Sequence, residues 1–311
     1  MFGRETVVSS AELEFVNELL RSFSLAELTL YEQRGAMEQS ASRPPSGTHI
    51  EPVDANGVRA EWVVAPGVTD SAVLLSLHGG AYSLGSLVTN RWFSALLSAT
   101  SNRRVLSIDY RLAPEHRFPA ALDDTLTAYH WLLTQNIAAG DIAIAGNSAG
   151  GGLTLSAVIA LRDQGSPLPA AAIALSPWTD LTGSGASVTS CVSTDLMLKA
   201  DGLRTSAATY ADPEHHKNPY ASPLFAQLHG LPPILLQASR AEILRDDTTR
   251  FADRASEYGT DVTTELYADM PHVWQMFAGI LPEADQAITA IGAWLTTHVT
   301  PTVDLTAVAG E

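Results

Sequence analysis

The sequence predicts an α/β protein: a mostly parallel central sheet flanked by helices, with a helical cap above one end. Three observations predict it. Short apolar runs alternate with longer stretches of helical periodicity, and runs that are apolar throughout belong to strands covered on both faces. A glycine-flanked serine, Gly146-Asn147-Ser148-Ala149-Gly150, stands between one such run and a helix-like segment. Residues 181–230 then break the rhythm with an interval about three times the length of an ordinary connection.

Taken in order, residues 10–40 carry Leu13, Val16, Leu19, Leu20, Leu25, Leu28 and Leu30 at helical spacing, with Ser10 placed to cap the first turn. They are read as the helices of an N-terminal cap over residues 1–45, followed by the linker "SASRPPSG" and His49. The first part of the core, residues 46–180, holds strands at Val58–Val64, Ala72–Leu77, Val105–Asp109, Ile142–Ala145 and Ala171–Leu175. Helices are expected near 89–100, 118–135 and 149–164. Residues 181–225 are assigned to a lid inserted on the ligand side of the sheet. Residues 226–298 complete the core with strands Ile234–Gln237 and Val262–Tyr267 and helices near 246–258 and 284–297, and 299–311 are expected to form a frayed tail.

Composition narrows the function classes. The chain has 311 residues, 46% hydrophobic and 17% charged, enough for one large core with a lid. Its net charge of −16, with Lys199 and Lys217 the only lysines, leaves no basic stripe for nucleic acid or an anionic membrane. Cys191 stands alone, which excludes an intramolecular disulfide and fits a reducing compartment. No segment has the pattern of a secretory leader or the ~18 apolar residues of a membrane span. The expectation is a soluble, cytoplasmic protein.

Gly146 to Gly150 read as G-x-S-x-G in strand–turn–helix context, a nucleophile elbow. Such a turn strains the serine backbone, so its neighbours must be small, and it raises the Ser148 hydroxyl at a helix N-terminus that favours negative charge. Serine needs a base to take its proton. His272, in "ADMPHVWQMF", directly follows the last predicted strand. The adjacent His215 and His216 lack further ligands at metal-binding spacing, and no metal site is expected. The orienting carboxylate belongs on the loop after the penultimate strand, where "AEILRDD" offers Glu242, Asp246 and Asp247. Glu242 lies within the loop, whereas Asp246 and Asp247 look like first-turn residues of the next helix; Glu242 is preferred and Asp246 held in reserve. An attacked carbonyl also needs N–H donors. Ala149 supplies one, and the turn "HGGAY" supplies others from Gly80 and Ala81, with Gly79 keeping it tight. Apolar residues near these motifs or in the lid, namely Tyr82, Trp178, Leu196, Met197, Leu198, Tyr210 and Trp274, are candidates for the pocket wall.

Together "HGGAY", "GNSAGGG", "SIDYRLAPEHRFPAALDD", "AEILRDD" and "MPHVW" resemble the motifs of the bacterial hormone-sensitive-lipase family of α/β-hydrolases, over residues 50 to 297. The resemblance implies an α/β-hydrolase fold and a serine esterase for short-to-medium acyl esters, without a cofactor and often dimeric. It maps the family's serine to Ser148, its histidine to His272 and its acid to Glu242. Three residues depart from the family pattern: Ala81 for a third glycine, Asn147 for aspartate next to the serine, and Glu242 for the usual aspartate. Amidase or acyltransferase chemistry with the same triad is one alternative. Non-catalytic binding of a small molecule, as in the related plant gibberellin receptors, is another.

Overall fold

The computed structural model describes residues 10–299 apart from Ser24, Ala26 and Asp70. Most of the expected tail therefore lies outside the described residues; Val299, at its start, is buried. The strands are β1 His49–Ala55, β2 Val58–Val64, β3 Val73–Leu77, β4 Arg104–Ile108, β5 Ile142–Asn147, β6 Ala171–Leu175, β7 Ile234–Ser239 and β8 Val262–Tyr267. They form one sheet in the order β1-β2-β4-β3-β5-β6-β7-β8, antiparallel at β1–β2 and β2–β4 and parallel from β4 onward. The helices are α1 Ala11–Ser22, α2 Leu30–Ser40, α3 Leu87–Ser101, α4 Ala120–Thr134, α5 Ala149–Asp163, α6 Ser187–Ser190, α7 Ala200–Tyr210, α8 Arg245–Glu257 and α9 Pro282–His298.

Strands β3, β5, β6 and β7 are buried at every position. Each fully buried aliphatic side chain contributes roughly 1.5–3 kcal/mol, so these runs occupy the centre of the sheet. Residues of α4, α5 and α8 pack on one face and residues of α3 and α9 on the other. β1 is not among the expected strands, and His49, expected in the linker, opens it. Its sequence HIEPVDA is polar and contains Pro52, and it is a mostly exposed edge strand that owes its form to pairing with β2.

The N-terminal helices α1 and α2 are docked by both apolar and polar contacts. In α1, Ser10 accepts from the Leu13 N–H, and Leu13 and Val16 are buried. No residue of α2 is fully buried. Arg34 of this helix donates to the carbonyls of Ser83 and Ala113 and grips both carboxylate oxygens of Glu115 at 2.7 and 2.9 Å. The hydrogen bonds from Arg34 hold the Glu115 carboxyl down to about 2. The pair therefore stabilises the fold in full above the ordinary carboxylate range and loses that contribution as pH falls through about 2. Glu115 is half exposed, so screening limits the effect to about 0.5 kcal/mol. Thermal melts of Glu115→Gln should run below wild type at neutral pH and converge with it near the lower limit of that window.

Candidate active site

The parallel register brings the site together at the C-terminal edge of the sheet. Leu77 of β3 aligns with Gly146 of β5, and Asn147 with Leu175 of β6. The next residues, His78–Gly79, Ser148 and Ser176, therefore stand side by side where the strands give way to loops, the usual ligand side of such sheets.

Ser148 has φ 55° and ψ −121°. A non-glycine residue held there costs on the order of 1–3 kcal/mol, and the surroundings fix it. Its N–H donates to the Leu175 carbonyl at 2.8 Å, and its carbonyl accepts from Gly152 and Trp178. The neighbouring glycines leave no room for a side chain: a Cβ on Gly146 would lie 2.2 Å from the Gly150 carbonyl oxygen, and one on Gly150 would lie 2.2 Å from that of Leu77.

The turn after β3 is equally constrained. Gly80 has φ 120°, and a Cβ there would lie 2.3 Å from the Leu84 carbonyl oxygen. Ala81 and Tyr82 follow in left-handed conformation, with the Gly80 carbonyl accepting from Ser83 and Leu84. Among the described residues no acceptor takes the N–H of Gly80 or Ala81. A Cβ on Gly79 would meet the Asn147 side chain at 2.9 Å and the Ser148 Cβ at 3.3 Å, so this glycine also permits close approach to the elbow. Ala149 opens α5, where N–H groups lack helical partners. Buried His78 braces the turn, its Nδ1 2.7 Å from the Gly79 carbonyl and its ring stacked on Tyr110. Burial lowers its pKa, outweighing the Gly79 hydrogen bond and Asp109, which raise it. The Tyr110 hydroxyl donates to the His78 carbonyl, which gives the "DYR" segment a part in the same brace.

His272 lies with Nε2 2.9 Å from the Ser148 Oγ and Nδ1 2.5 Å from the Glu242 Oε2. Its ring and the Glu242 carboxylate are buried. The other Glu242 oxygen accepts from the Ser239 N–H at 2.7 Å and the Ser176 hydroxyl at 2.9 Å. Three groups, from Ser148, Ser176 and Ser239, thus hold the carboxylate and imidazole from different parts of the chain. Ser239 also donates its hydroxyl to the Met270 carbonyl, tying the acid loop to the histidine loop. Val273, after the histidine, is left-handed despite its β-branch, and its N–H donates to the Ser176 Oγ.

Asp246 is elsewhere, accepting from the Ser187 N–H and paired with Arg245. Asp247, in the first turn of α8 as expected, is buried and accepts from the Thr179 and Asp180 N–H groups, so it braces the loop after β6. Burial, then the nearby Asp180, pushes its pKa well up. Ser176 is the site residue that the sequence analysis does not name; its one legible signal is its position directly after an apolar strand next to the elbow.

The pocket expectation needs correction. Tyr82 stacks on Tyr210 at 3.7 Å between ring centroids, Trp178 tilts against Tyr82, and all three are buried. Their faces cover one another and form core beneath the turn instead of an open wall. Trp274 lies in the core layer with α9, against Tyr267 and with its indole N–H donating to the Glu283 carbonyl. Met197 is exposed in the cap, and Leu198 is half-buried against the core.

The model of the alpha/beta hydrolase fold family matches residues 74–276, the span holding the serine, acid and histidine just described. A solved esterase from the bacterial hormone-sensitive lipase (HSL) family superposes with a TM-score of 0.91 at 41% identity, covering 94% of this chain and 100% of that one. This chain is a member of the HSL family. An acetyl-hydrolase of Streptomyces hygroscopicus is 40% identical to this HSL-family chain over 299 residues, covering 93% of this chain and 98% of the relative. An esterase of Acinetobacter venetianus is 37% identical over 248 residues, covering 79% and 82%. A crystal structure of EstE5 soaked with p-nitrophenyl butyrate has a TM-score of 0.90 at 40% identity, covering 93% of this chain and 99% of that one. As an HSL-family chain the protein is an esterase-type hydrolase.

The cytoplasmic assignment does not stand. The matched family and relatives are described as hydrolases and esterases without a compartment. A single buried cysteine and, among the described residues, no helix long and apolar enough to cross a membrane are properties of the chain, not of its surroundings.

Proposed function

We propose that the protein is a serine carboxylesterase that cleaves short-to-medium acyl esters through an acyl-enzyme. The observation that carries this reading is the unbroken chain from Ser148 Oγ to His272 Nε2 and from His272 Nδ1 to Glu242. With a carboxylate accepting at Nδ1, the proton resides on Nδ1 and the Nε2 lone pair faces the serine hydroxyl.

Ser148 Oγ attacks the ester carbonyl carbon as its proton passes to His272 Nε2. The carbonyl oxygen becomes an oxyanion, which the N–H groups of Gly80, Ala81 and Ala149 receive; each such donor is worth about 10²–10³ in rate. Collapse breaks the bond to the alkoxy oxygen, and Nε2 returns the proton to the leaving alcohol. Water then repeats the sequence on the acyl-serine, releasing the acid and restoring the Ser148 hydroxyl. Glu242 orients the ring and stabilises the imidazolium throughout.

The names of an acetyl-hydrolase and of a structure soaked with a butyrate ester support a small acyl group. The mutual packing of Tyr82, Tyr210 and Trp178 supports it further, since the aromatic surface nearest the turn is already covered. A p-nitrophenyl series from acetate to palmitate tests it. Turnover should peak at the short end and fall at least about tenfold by palmitate. A maximum at palmitate would overturn the chain-length reading, and no turnover with any ester would overturn the enzyme reading.

A further inference from the structure

The segment between α6 and α7 contains one charged residue that is almost wholly inaccessible: Asp195, 2% exposed. Its carboxylate accepts three backbone N–H groups, while the nearby Lys199 ammonium donates to the Asp195 backbone carbonyl. One oxygen takes Met197 at 2.9 Å and Leu198 at 2.8 Å, within the cap. The other reaches across to the Ile243 N–H at 2.9 Å. Ile243 is the residue after Glu242.

This contact is the centre of a seam. The Thr194 hydroxyl donates to the Ala241 carbonyl at 2.7 Å, and the Ser187 hydroxyl donates to the Ile243 carbonyl at 2.7 Å. Backbone groups on both sides of Glu242 are therefore held by side chains of the inserted cap. The loop is tied as well to Tyr267 and Ser239 in the sheet, to Cys191 beside α6 and to Arg245 of α8.

We propose that Asp195 is a positioning residue for Glu242, holding the acid loop at its productive height through the Ile243 amide. The proposal rests on Glu242 acting as the orienting acid. The peptide between Glu242 and Ile243 is planar and rigid, so a displaced Ile243 N–H carries the Glu242 Cα with it. The 2.5 Å contact with His272 has little room for such a shift. A carboxylate suits the position because both its oxygens accept. An asparagine would turn an NH₂ toward one of these N–H donors.

The rival role is a local one, in which Asp195 only shapes the turn at Met197 and Leu198. A double-mutant cycle separates them, with kcat and KM measured on short p-nitrophenyl esters and folding checked by thermal melts. Asp195→Asn should lower kcat about tenfold with KM changed less than about twofold, and should cost under about twofold in a Glu242→Gln background. A similar cost in both backgrounds, an effect on KM alone, or no effect would overturn the proposal while leaving the triad intact. Wild-type kcat in Glu242→Gln itself would instead remove the triad reading on which the proposal stands. If Asp195→Asn does not fold, Thr194→Val, which removes only the hydroxyl on the Ala241 carbonyl, should show the same non-additivity at smaller size; additivity there would overturn the proposal.

Discussion

Replacing Ser148 with alanine should abolish ester turnover, with kcat falling by about 10⁴–10⁶. The loss comes from chemistry, since the Cβ is retained and the backbone ties to Leu175, Gly152 and Trp178 do not involve the hydroxyl. Melts of the variant should match wild type within a degree or two, and the burst of p-nitrophenol from a stoichiometric acyl-enzyme should vanish. A variant that keeps a burst would place the nucleophile elsewhere. Any residual rate over water would come from the N–H donors and from binding, which the substitution leaves in place.

Glu242→Gln should be nearly as damaging, at about 10⁴ in kcat. The carboxamide can still accept from Ser239 and Ser176 with its oxygen, but its NH₂ then faces His272 Nδ1. Nδ1 must accept, so the ring proton moves to Nε2, where it points at the serine and blocks proton abstraction. Asp246→Asn, whose side chain serves Ser187 and Arg245, should stay within about threefold of wild type. Measuring kcat for both variants on one short ester checks the pair. The reverse pattern would move the orienting acid to Asp246.

Much of the fold was legible in the chain. β2, β6 and β8 have their expected bounds, and β3, β4, β5 and β7 differ by one or two residues at their ends. A continuously apolar run bounded by turn residues is a local property, so near neighbours specify it. β1 was missed because nothing within HIEPVDA marks a strand; pairing with β2 makes it one. The short helices of the insertion, α6 and α7, were likewise unread, since their order derives from docking onto the acid loop and core.

The site divides in the same way. The elbow was readable because its small residues are written within five positions, although Gly146 clears Gly150 inside the motif while Gly150 clears the Leu77 carbonyl of β3. The turn at Gly79 and Gly80 was readable as approachable backbone, though the close approach of Gly79 to Asn147 and Ser148 was not. The aromatic residues were misplaced because nearness to a motif says nothing about which way a ring faces. Tyr82 and Tyr210, 128 positions apart by their numbering, meet only once the end of α7 lies over the turn after β3.

By itself, then, the sequence determined the α/β order of the elements, the strained serine between strand and helix, and a histidine and carboxylate on the last two loops. These depend on periodicity and on sterics between residues a few places apart. Tertiary structure alone decided that Glu242 faces His272, that Asp246 and Asp247 brace backbone elsewhere, and that the cap grips the acid loop through Asp195. Contacts across 30 to 124 residues of separation are set by strand register and loop packing, and no local pattern encodes them.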